Sequence, residues 1–130
     1  MPQTFPPDAR LRRRSEFTGV FEKGVKRHGR LMSVCVRRAG SGRSRVGIAA
    51  SRKVGGAVQR NLVKRRVREI FRRLVLPAGL DIVVMPRQAM VAAPLDASRQ
   101  EFEALVQSAA RHGRSAPHSQ SPRPDPPGRL

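Results

Sequence analysis

The sequence is short of cysteine, of long apolar runs and of acidic residues, and each shortage excludes a class of protein. Its single cysteine, Cys35, has no partner for an internal disulfide, and we interpret it as a small buried side chain rather than a reactive thiol. No apolar run reaches the roughly 18 to 20 residues of a membrane-spanning helix, because Pro77 and Asp81 interrupt the best one. The N-terminal residues MPQTFPPDARLRRR are unlike a secretory signal, so we expect a cytoplasmic protein.

Acidic residues are too few to balance the basic ones. The 130 residues include 27 Lys and Arg against 9 Asp and Glu, which gives a formal net charge of +18 at pH 7. A folded surface with this charge repels itself unless a polyanion neutralises it. Nucleic acid is therefore the expected partner.

Residues that would cleave a nucleic acid are also scarce. The histidines are His28, His112 and His118, which we expect to be exposed, and no group of carboxylates has metal-ligand spacing. The sequence therefore predicts no metal site in the protein and does not favour a self-sufficient nuclease.

Both ends of the chain have the composition of tails. Residues 1–9 and 112–130 are rich in proline and polar residues and lack apolar periodicity, so neither can bury enough surface to order itself. We expect them to be disordered and to flank one domain at residues 10–111, a size that suits a single core.

The segment between the tails has the pattern of three helices and three strands. Helices are predicted at residues 15–23, with Ser15 as N-cap, at 57 to about 74, and from 94 to Gly113, where Ser98 and Glu101 have capping-box spacing. Strands are predicted at residues 31–37, 45–51 and 80–85. The first two are expected to be antiparallel across a linker of hairpin length, and the third to be buried on both faces. The order α-β-β-α-β-α predicts an α+β fold in which helices pack on a small sheet.

One predicted helix carries an unusual density of charge. Residues 57–73, AVQRNLVKRRVREIFRR, hold seven Lys and Arg and a single Glu. At about 100° per residue, apolar residues such as Val63 and Val67 gather on one side and most of the cations on another. Like charges at i and i+4 disfavour a helix by about 0.2 to 0.5 kcal/mol per pair. The pattern therefore favours a nucleic-acid face over a merely solvated one, without distinguishing RNA from DNA.

The same region resembles a known family. Residues 51–72, SRKVGGAVQRNLVKRRVREIFR, are similar to the signature of the bacterial ribonuclease P protein component, which is centred on an Arg-Asn-x-x-Lys-Arg-x-x-Arg helix. The segments RSEF at 14–17, RVGI at 45–48 and DIVV at 81–84 support the resemblance, which covers about residues 10 to 111. It implies a two-layer sandwich with a mixed sheet and a left-handed βαβ crossover, against the usual right-handed preference.

The resemblance also implies a function. The family's protein is the basic subunit of a ribonucleoprotein endonuclease that removes the 5′ leader from precursor tRNA. Its RNA subunit carries out the hydrolysis with Mg²⁺, and we expect the protein itself to bind no cofactor. The implied partners are ribonuclease P RNA and precursor tRNA, with no membrane and no small-molecule substrate.

Two sets of binding residues follow by similarity. The RNA-binding set is Arg52, Lys53, Arg60, Asn61, Lys64, Arg65, Arg68 and Arg72. The leader-binding set is Arg12, Arg14, Phe17, Phe21 and Lys26. Asn61 suits a capping role nearly as well, and the i, i+4 spacing of Phe17 and Phe21 suits core packing as well as stacking on bases.

The chain departs from the family pattern in its aromatic residues. It has no Tyr and no Trp, and the strand at 31–37 lacks the aromatic residue that members often place toward the leader. Gly56 stands where the family commonly has Asn. We therefore expect weaker contact with the leader.

Composition alone leaves a rival function open. A ribosomal protein, or another non-catalytic RNA-binding module, would have the same small size, high charge and basic tails. A helix-turn-helix DNA-binding protein is less favoured because the basic helix lies between apolar strands, with no partner helix ahead of it.

Overall fold

A four-stranded mixed sheet forms the centre of the molecule. The computed structural model describes residues 10, 11, 13–39, 42–74, 76 and 78–115, with residues 112–115 as backbone only. The strands are β1 (Val25–His28), β2 (Met32–Arg38), β3 (Arg45–Ile48) and β4 (Leu80–Pro86). The helices are α1 (Arg14–Lys23), α2 (Ala57–Arg73), α3 (Ala89–Ala92) and α4 (Leu95–Ser115). In this part of the chain no helix is long and apolar enough to cross a bilayer.

Strand β4 occupies an inner position because its sequence, LDIVVMP, is apolar enough for both faces of the sheet. The order is β1-β2-β4-β3, with β3 parallel to β4 and the other neighbours antiparallel. Ile82 and Val84 face the larger core, whereas Val83 faces the opposite side toward α1. The predicted burial of this strand on both faces is confirmed.

Helices cover the two faces of the sheet unequally. Helices α2 and α4 pack on one face through Val63, Val67 and Phe102, all with no exposed surface. Helix α1 covers part of the other face, where Val20 packs with Cys35. The α+β class with a small mixed sheet is confirmed, and the β3–α2–β4 connection between parallel neighbours corresponds to the expected βαβ crossover.

The strand pairing differs from the sequence prediction. Strands β2 and β3 run in opposite directions, but they are not neighbours, because β4 lies between them and pairs with both. A hairpin forms instead between β2 and β1, which was not predicted because its sequence, VKRH, contains a single apolar residue. Strand β3 ends at Ile48, short of the predicted Ser51.

Several predicted helix ends are corrected. Helix α1 begins at Arg14, so Ser15 lies inside it, and the backbone N–H of Arg13 donates to Glu16 Oε1 at 3.0 Å. Helix α4 continues through Gly113 to Ser115, which places residues 112–115 of the predicted C-terminal tail in a helix. Residues 1–9 and 116–130 of the predicted tails lie outside the described residues.

The predicted capping box of α4 is wrong. The helix begins at Leu95, so Ser98 lies inside its first turn, completely buried. Glu101 instead accepts backbone N–H groups at the β1–β2 turn, from Leu31 at 2.7 Å and Met32 at 3.0 Å. This carboxylate therefore links α4 to the hairpin. The short helix α3, which was also not predicted, lies between β4 and α4.

Candidate nucleic-acid interface

Helix α2 has one apolar face and one cationic face. Val63, Val67 and Ile70 are at most 2% exposed and pack on the sheet. On an ideal helix, Arg60, Lys64 and Arg68 follow one another at about one-turn intervals. Five residues, which we call the cationic face, share an arc of about 140° that begins beside Val67 and turns toward solvent: Arg60, Asn61, Lys64, Arg65 and Arg68.

The side chains of the cationic face reach the surface. Asn61 and Arg65 are exposed, and Arg60, Lys64 and Arg68 are half-buried. Within the described residues, no acidic side chain forms an ion pair with the four basic members of the face. The face therefore presents its positive charge outward.

Arg10 extends the cationic face beyond the helix. Its backbone pairs with Val46, which places the segment before α1 alongside β3. The pKa of Arg68 is lowered, first by burial and then by repulsion from the Arg10 guanidinium, so the two cations lie near one another. Sequence patterning missed Arg10 because its neighbours have no helical periodicity.

Two of the basic residues near the end of α2 are paired. Glu69 accepts from Arg72 at 2.6 Å and from Arg73 at 2.7 Å. Arg72, which the resemblance placed in the RNA-binding set, is thus partly neutralised within the chain. The outward charge of α2 is concentrated between Arg60 and Arg68.

Arg66 has a structural position rather than a place on the cationic face. Its guanidinium Nη1 donates to three backbone carbonyls around the end of α3: those of Met90 at 3.2 Å, Val91 at 3.2 Å and Ala93 at 2.9 Å. Carbonyl groups at a helix C-terminus lack partners within the helix, and a guanidinium satisfies several at once. Arg66 therefore holds α3 against α2.

A turn before α2 positions Arg52 and Lys53. The backbone N–H groups of Val54 and Gly55 donate to the carbonyls of Ser51 and Arg52, each at 3.1 Å. Val54 is buried and anchors the turn in the core, whereas Arg52 and Lys53 are exposed. Both predicted residues thus lie beside the start of the helix that carries the cationic face.

The predicted leader-binding aromatic residues lie between α1 and the sheet. Phe17 and Phe21 are both half-buried and pack against the cluster of Leu11, Val20, Cys35 and Val83. Phe17 lies directly on the backbone of β3, since a Cβ atom at Gly47 would be 2.6 Å from its Cζ. The Lys26 ammonium is 5.9 Å from the centroid of the Phe21 ring, a cation–π distance. Arg14 is exposed at the start of α1, and Arg12 lies outside the described residues.

An ion-pair network fixes α1 to the sheet. The Arg45 guanidinium donates to both carboxylate oxygens of Asp81, each at 3.0 Å, and to Glu16 on α1 at 2.9 Å. Asp81 is buried, and its hydrogen bond is the main reason that the pKa of Arg45 is raised. The sequence shows these charges but not their proximity, because the partners are 29 and 36 residues apart.

Polar side chains continue the same face of the sheet beyond Phe21. His28, exposed as predicted, has its Nδ1 atom 2.9 Å from Ser33 Oγ, and Arg87 donates to the same hydroxyl at 3.4 Å. Lys26 shares this face, since it pairs with Cys35 while His28 pairs with Ser33. Among the described residues, no cluster of His, Cys, Asp and Glu side chains could hold a metal ion.

Comparison with known proteins identifies relatives over most of the described residues. The ribonuclease P family profile matches residues 5–110. The ribonuclease P protein component of Thermotoga maritima is 44% identical over 92 residues, which cover 69% of this chain and 79% of the relative. That of Desulfovibrio desulfuricans is 42% identical over 113 residues, covering 82% and 87%. The solved structure of the Thermotoga maritima ribonuclease P protein superposes with a TM-score of 0.69 at 38% identity, covering 76% of this chain and 96% of that one.

Proposed function

The chain belongs to the ribonuclease P protein family, and on this premise we propose that it binds the catalytic RNA and the 5′ leader of precursor tRNA. As a ribonuclease P protein component it is part of an endoribonuclease that processes tRNA. The single observation that carries the proposal is the cationic face of α2, which adjoins the buried Val67 and turns from the core toward solvent. No observation specifically favours the ribosomal-protein alternative.

The cationic face is the proposed contact with the catalytic RNA. Repulsion between its cations at i and i+4 costs about 0.2 to 0.5 kcal/mol per pair in an isolated helix, and bound phosphates would remove that cost. Arginine also suits the task because its planar guanidinium can donate two parallel hydrogen bonds to one phosphate. Arg52 and Lys53 extend the contact at one end of the helix, and the charge of Arg10 is close enough to Arg68 to help lower its pKa.

The surface between α1 and the sheet is the proposed leader site. Phe17 and Phe21 are half-buried there, and Phe21, which lies beside Lys26, is the better candidate to stack on an unpaired base. Stacking of this kind is worth about 1 to 3 kcal/mol per base and tolerates any base. Lys26 and Arg14 supply positive charge for the phosphates of the leader. The Arg45–Glu16 ion pair holds α1 against the sheet, and Asp81 fixes the Arg45 guanidinium from the neighbouring strand.

The protein's part in the reaction is to bind and position. Hydrolysis joins a water oxygen to the phosphorus at the cleavage site and breaks the bond to the 3′ oxygen of the leader, which leaves the 5′ phosphate on the tRNA. We propose that this chemistry takes place on the RNA subunit, where Mg²⁺ would activate the water and stabilise the leaving oxygen. The protein's side chains would hold the leader and the RNA in register. We also propose a cytoplasmic location, where bacterial precursor tRNA is made.

Reconstitution with the partner RNA tests the proposal. Precursor tRNA is incubated with the protein, with the RNA or with both, across a Mg²⁺ titration. The expected result is no cleavage by the protein alone and cleavage by the complex at lower Mg²⁺ than the RNA alone requires. Cleavage by RNA-free protein, or an unchanged Mg²⁺ requirement, would contradict it.

A further inference from the structure

A pocket lies between the start of α2 and the short helix α3. Its volume is about 430 Å³, and it is open to solvent. Residues 54–56 and Gln59 form one side, and Gln88, Val91 and Ala92 form the other. The volume falls within the roughly 300 to 1,000 Å³ of ordinary ligand clefts. Neither the cationic face nor the leader site includes this pocket.

The shape of the pocket depends on close packing of the turn before α2. Gly55 has a φ of +146°, and a Cβ atom there would be 2.9 Å from Gln59 Cβ. A larger residue at this position would be strained and would displace Gln59. Arg66 fixes the opposite side, because it binds the carbonyls of Met90 and Val91. Both walls are therefore held in place without a ligand.

The lining combines aliphatic surface with two side-chain amides. Val54, Val91 and Ala92 provide aliphatic surface. Gln59 Oε1 accepts from the backbone N–H of Gly56 at 3.1 Å, which leaves the side-chain NH₂ group of Gln59 as a donor. Gln88 brings a second amide to the other side. Nucleobases combine a stacking face with hydrogen-bond acceptors along their edges.

The charge around the pocket indicates an occupant attached to phosphates. Arg52 and Lys53, both exposed, belong to the turn that forms one wall, and Arg60 follows Gln59 on α2. The first turn of α2 contains no acidic residue. A neutral apolar ligand would not require these cations, whereas a base in an RNA strand carries a phosphate on either side.

We propose that this pocket receives one unpaired nucleobase of the partner RNA, with Arg52, Lys53 and Arg60 contacting the neighbouring phosphates. The inference rests on the proposed function, since the occupant belongs to the RNA that the cationic face binds. The pocket would add a contact that depends on shape and hydrogen bonding. The contact made by the cationic face is mainly electrostatic.

Filling the pocket tests the inference. Ala92→Phe places a ring in the pocket, and Ala89→Phe adds the same ring to α3 at an exposed position that does not line it. Ala92→Phe should weaken binding of the partner RNA by roughly two- to tenfold, the reduction expected when a hydrogen bond to the base is lost. The slope of the log association constant for RNA against log salt concentration should not change, because every phosphate contact remains. The control should bind like the unmodified protein.

The outcomes separate this inference from the proposed function. Failure of the unmodified protein to bind the RNA would contradict the proposed function. Normal binding by Ala92→Phe with an unchanged melting temperature, or weaker binding accompanied by a smaller salt slope, would overturn only the nucleobase pocket.

A crosslinking experiment identifies the occupant even if Ala92→Phe folds poorly. Ala89→Cys, next to the lining residue Gln88 but outside the pocket, is labelled with a photoreactive aryl azide, which should mark this position alone because Cys35 is buried. Irradiation of the complex should join the label to an unpaired nucleotide of the RNA. Crosslinks confined to base-paired nucleotides, or none at all, would overturn the proposal.

Discussion

At the scale of single residues, the two candidate leader-binding aromatics have different surroundings. Phe17 lies on the backbone of β3, where it approaches Gly47, whereas Phe21 lies beside Lys26 toward the polar end of the same face. We expect Phe21→Ala to weaken precursor tRNA binding by the reconstituted complex about fivefold or more, the value of one base stack, and mature tRNA binding little. Phe17→Ala should instead lower the melting temperature. Equal reductions in affinity for both RNAs with Phe21→Ala would indicate core packing.

A second prediction at this scale concerns the contribution of the buried Asp81 to stability. Asp81→Asn removes the negative charge that Arg45 and Arg37 share, while Arg45 keeps its contact with Glu16. Breaking a buried ion pair from one side costs up to about 3 to 5 kcal/mol, and the exposed part of Arg45 reduces this. We expect a decrease of about 1 to 3 kcal/mol in the free energy of unfolding, measured with urea. A decrease no larger than that of the surface variant Asp96→Asn would contradict the assigned role.

A third prediction concerns how the contribution of Cys35 to stability depends on pH. Burial raises the pKa of its thiol from 9.0 to about 11, so the unfolded chain loses this proton first as pH rises. The contribution of Cys35 to stability is therefore complete below about pH 9 and falls as pH rises toward 11. A thiol reagent at pH 8 should modify the folded protein slowly and the urea-unfolded protein quickly. Rapid modification of the folded protein would show that the thiol is accessible.

At the scale of helices and strands, the sequence predicted those elements whose apolar pattern is strong. Helix α2 was predicted from Val63, Val67 and Ile70 at helical spacing, and β4 from its continuous apolar run. Strand β1 was missed because its order comes from pairing with β2 rather than from its own residues. The position of β4 between β2 and β3 was missed because pairing across long separations leaves no local pattern.

The candidate site was predictable to a similar degree. The cationic face depends only on the spacing of residues along one helix, so it can be predicted from the sequence. Arg66 is one of the seven basic residues of α2, and only the structure shows that it binds the carbonyls around the end of α3. Arg10 and the Arg45–Asp81 pair depend on contacts between distant parts of the chain, which spacing does not report.

The prediction for α2 concerns the salt dependence of RNA binding. In one variant, Arg60, Lys64 and Arg68 are all replaced by Gln. The slope of the log association constant for RNA against log salt concentration should become less steep by about 0.7 to 0.9 for each phosphate that the variant no longer binds. The matched control replaces three basic residues outside the face with Gln: Arg73, Arg99 and Arg111. The control has the same net charge and should largely retain the slope. Equal reductions in both variants would show that binding depends on total charge.

At the scale of the whole molecule, the net charge of +18 includes two basic surfaces. The sheet holds these two surfaces in fixed positions relative to each other. The cationic face belongs to a helix on one side of the sheet, and the leader site lies on the other side under α1. Under the proposed function, this arrangement would allow one small protein to contact the catalytic RNA and the substrate at once. The proposed function assigns the bond-breaking step to the RNA, so the protein's expected effect is on assembly and substrate affinity.

The most direct test is single-turnover cleavage of precursor tRNA by the complex reconstituted with the variant in which Arg60, Lys64 and Arg68 are replaced by Gln. Protein concentration is varied at low Mg²⁺, and the charge-matched variant is measured in parallel. The account predicts that the variant needs a higher concentration to reach half of the maximal rate, and that excess protein restores that rate. A variant that assembles at the normal concentration, or one whose rate stays low at saturation, would contradict it.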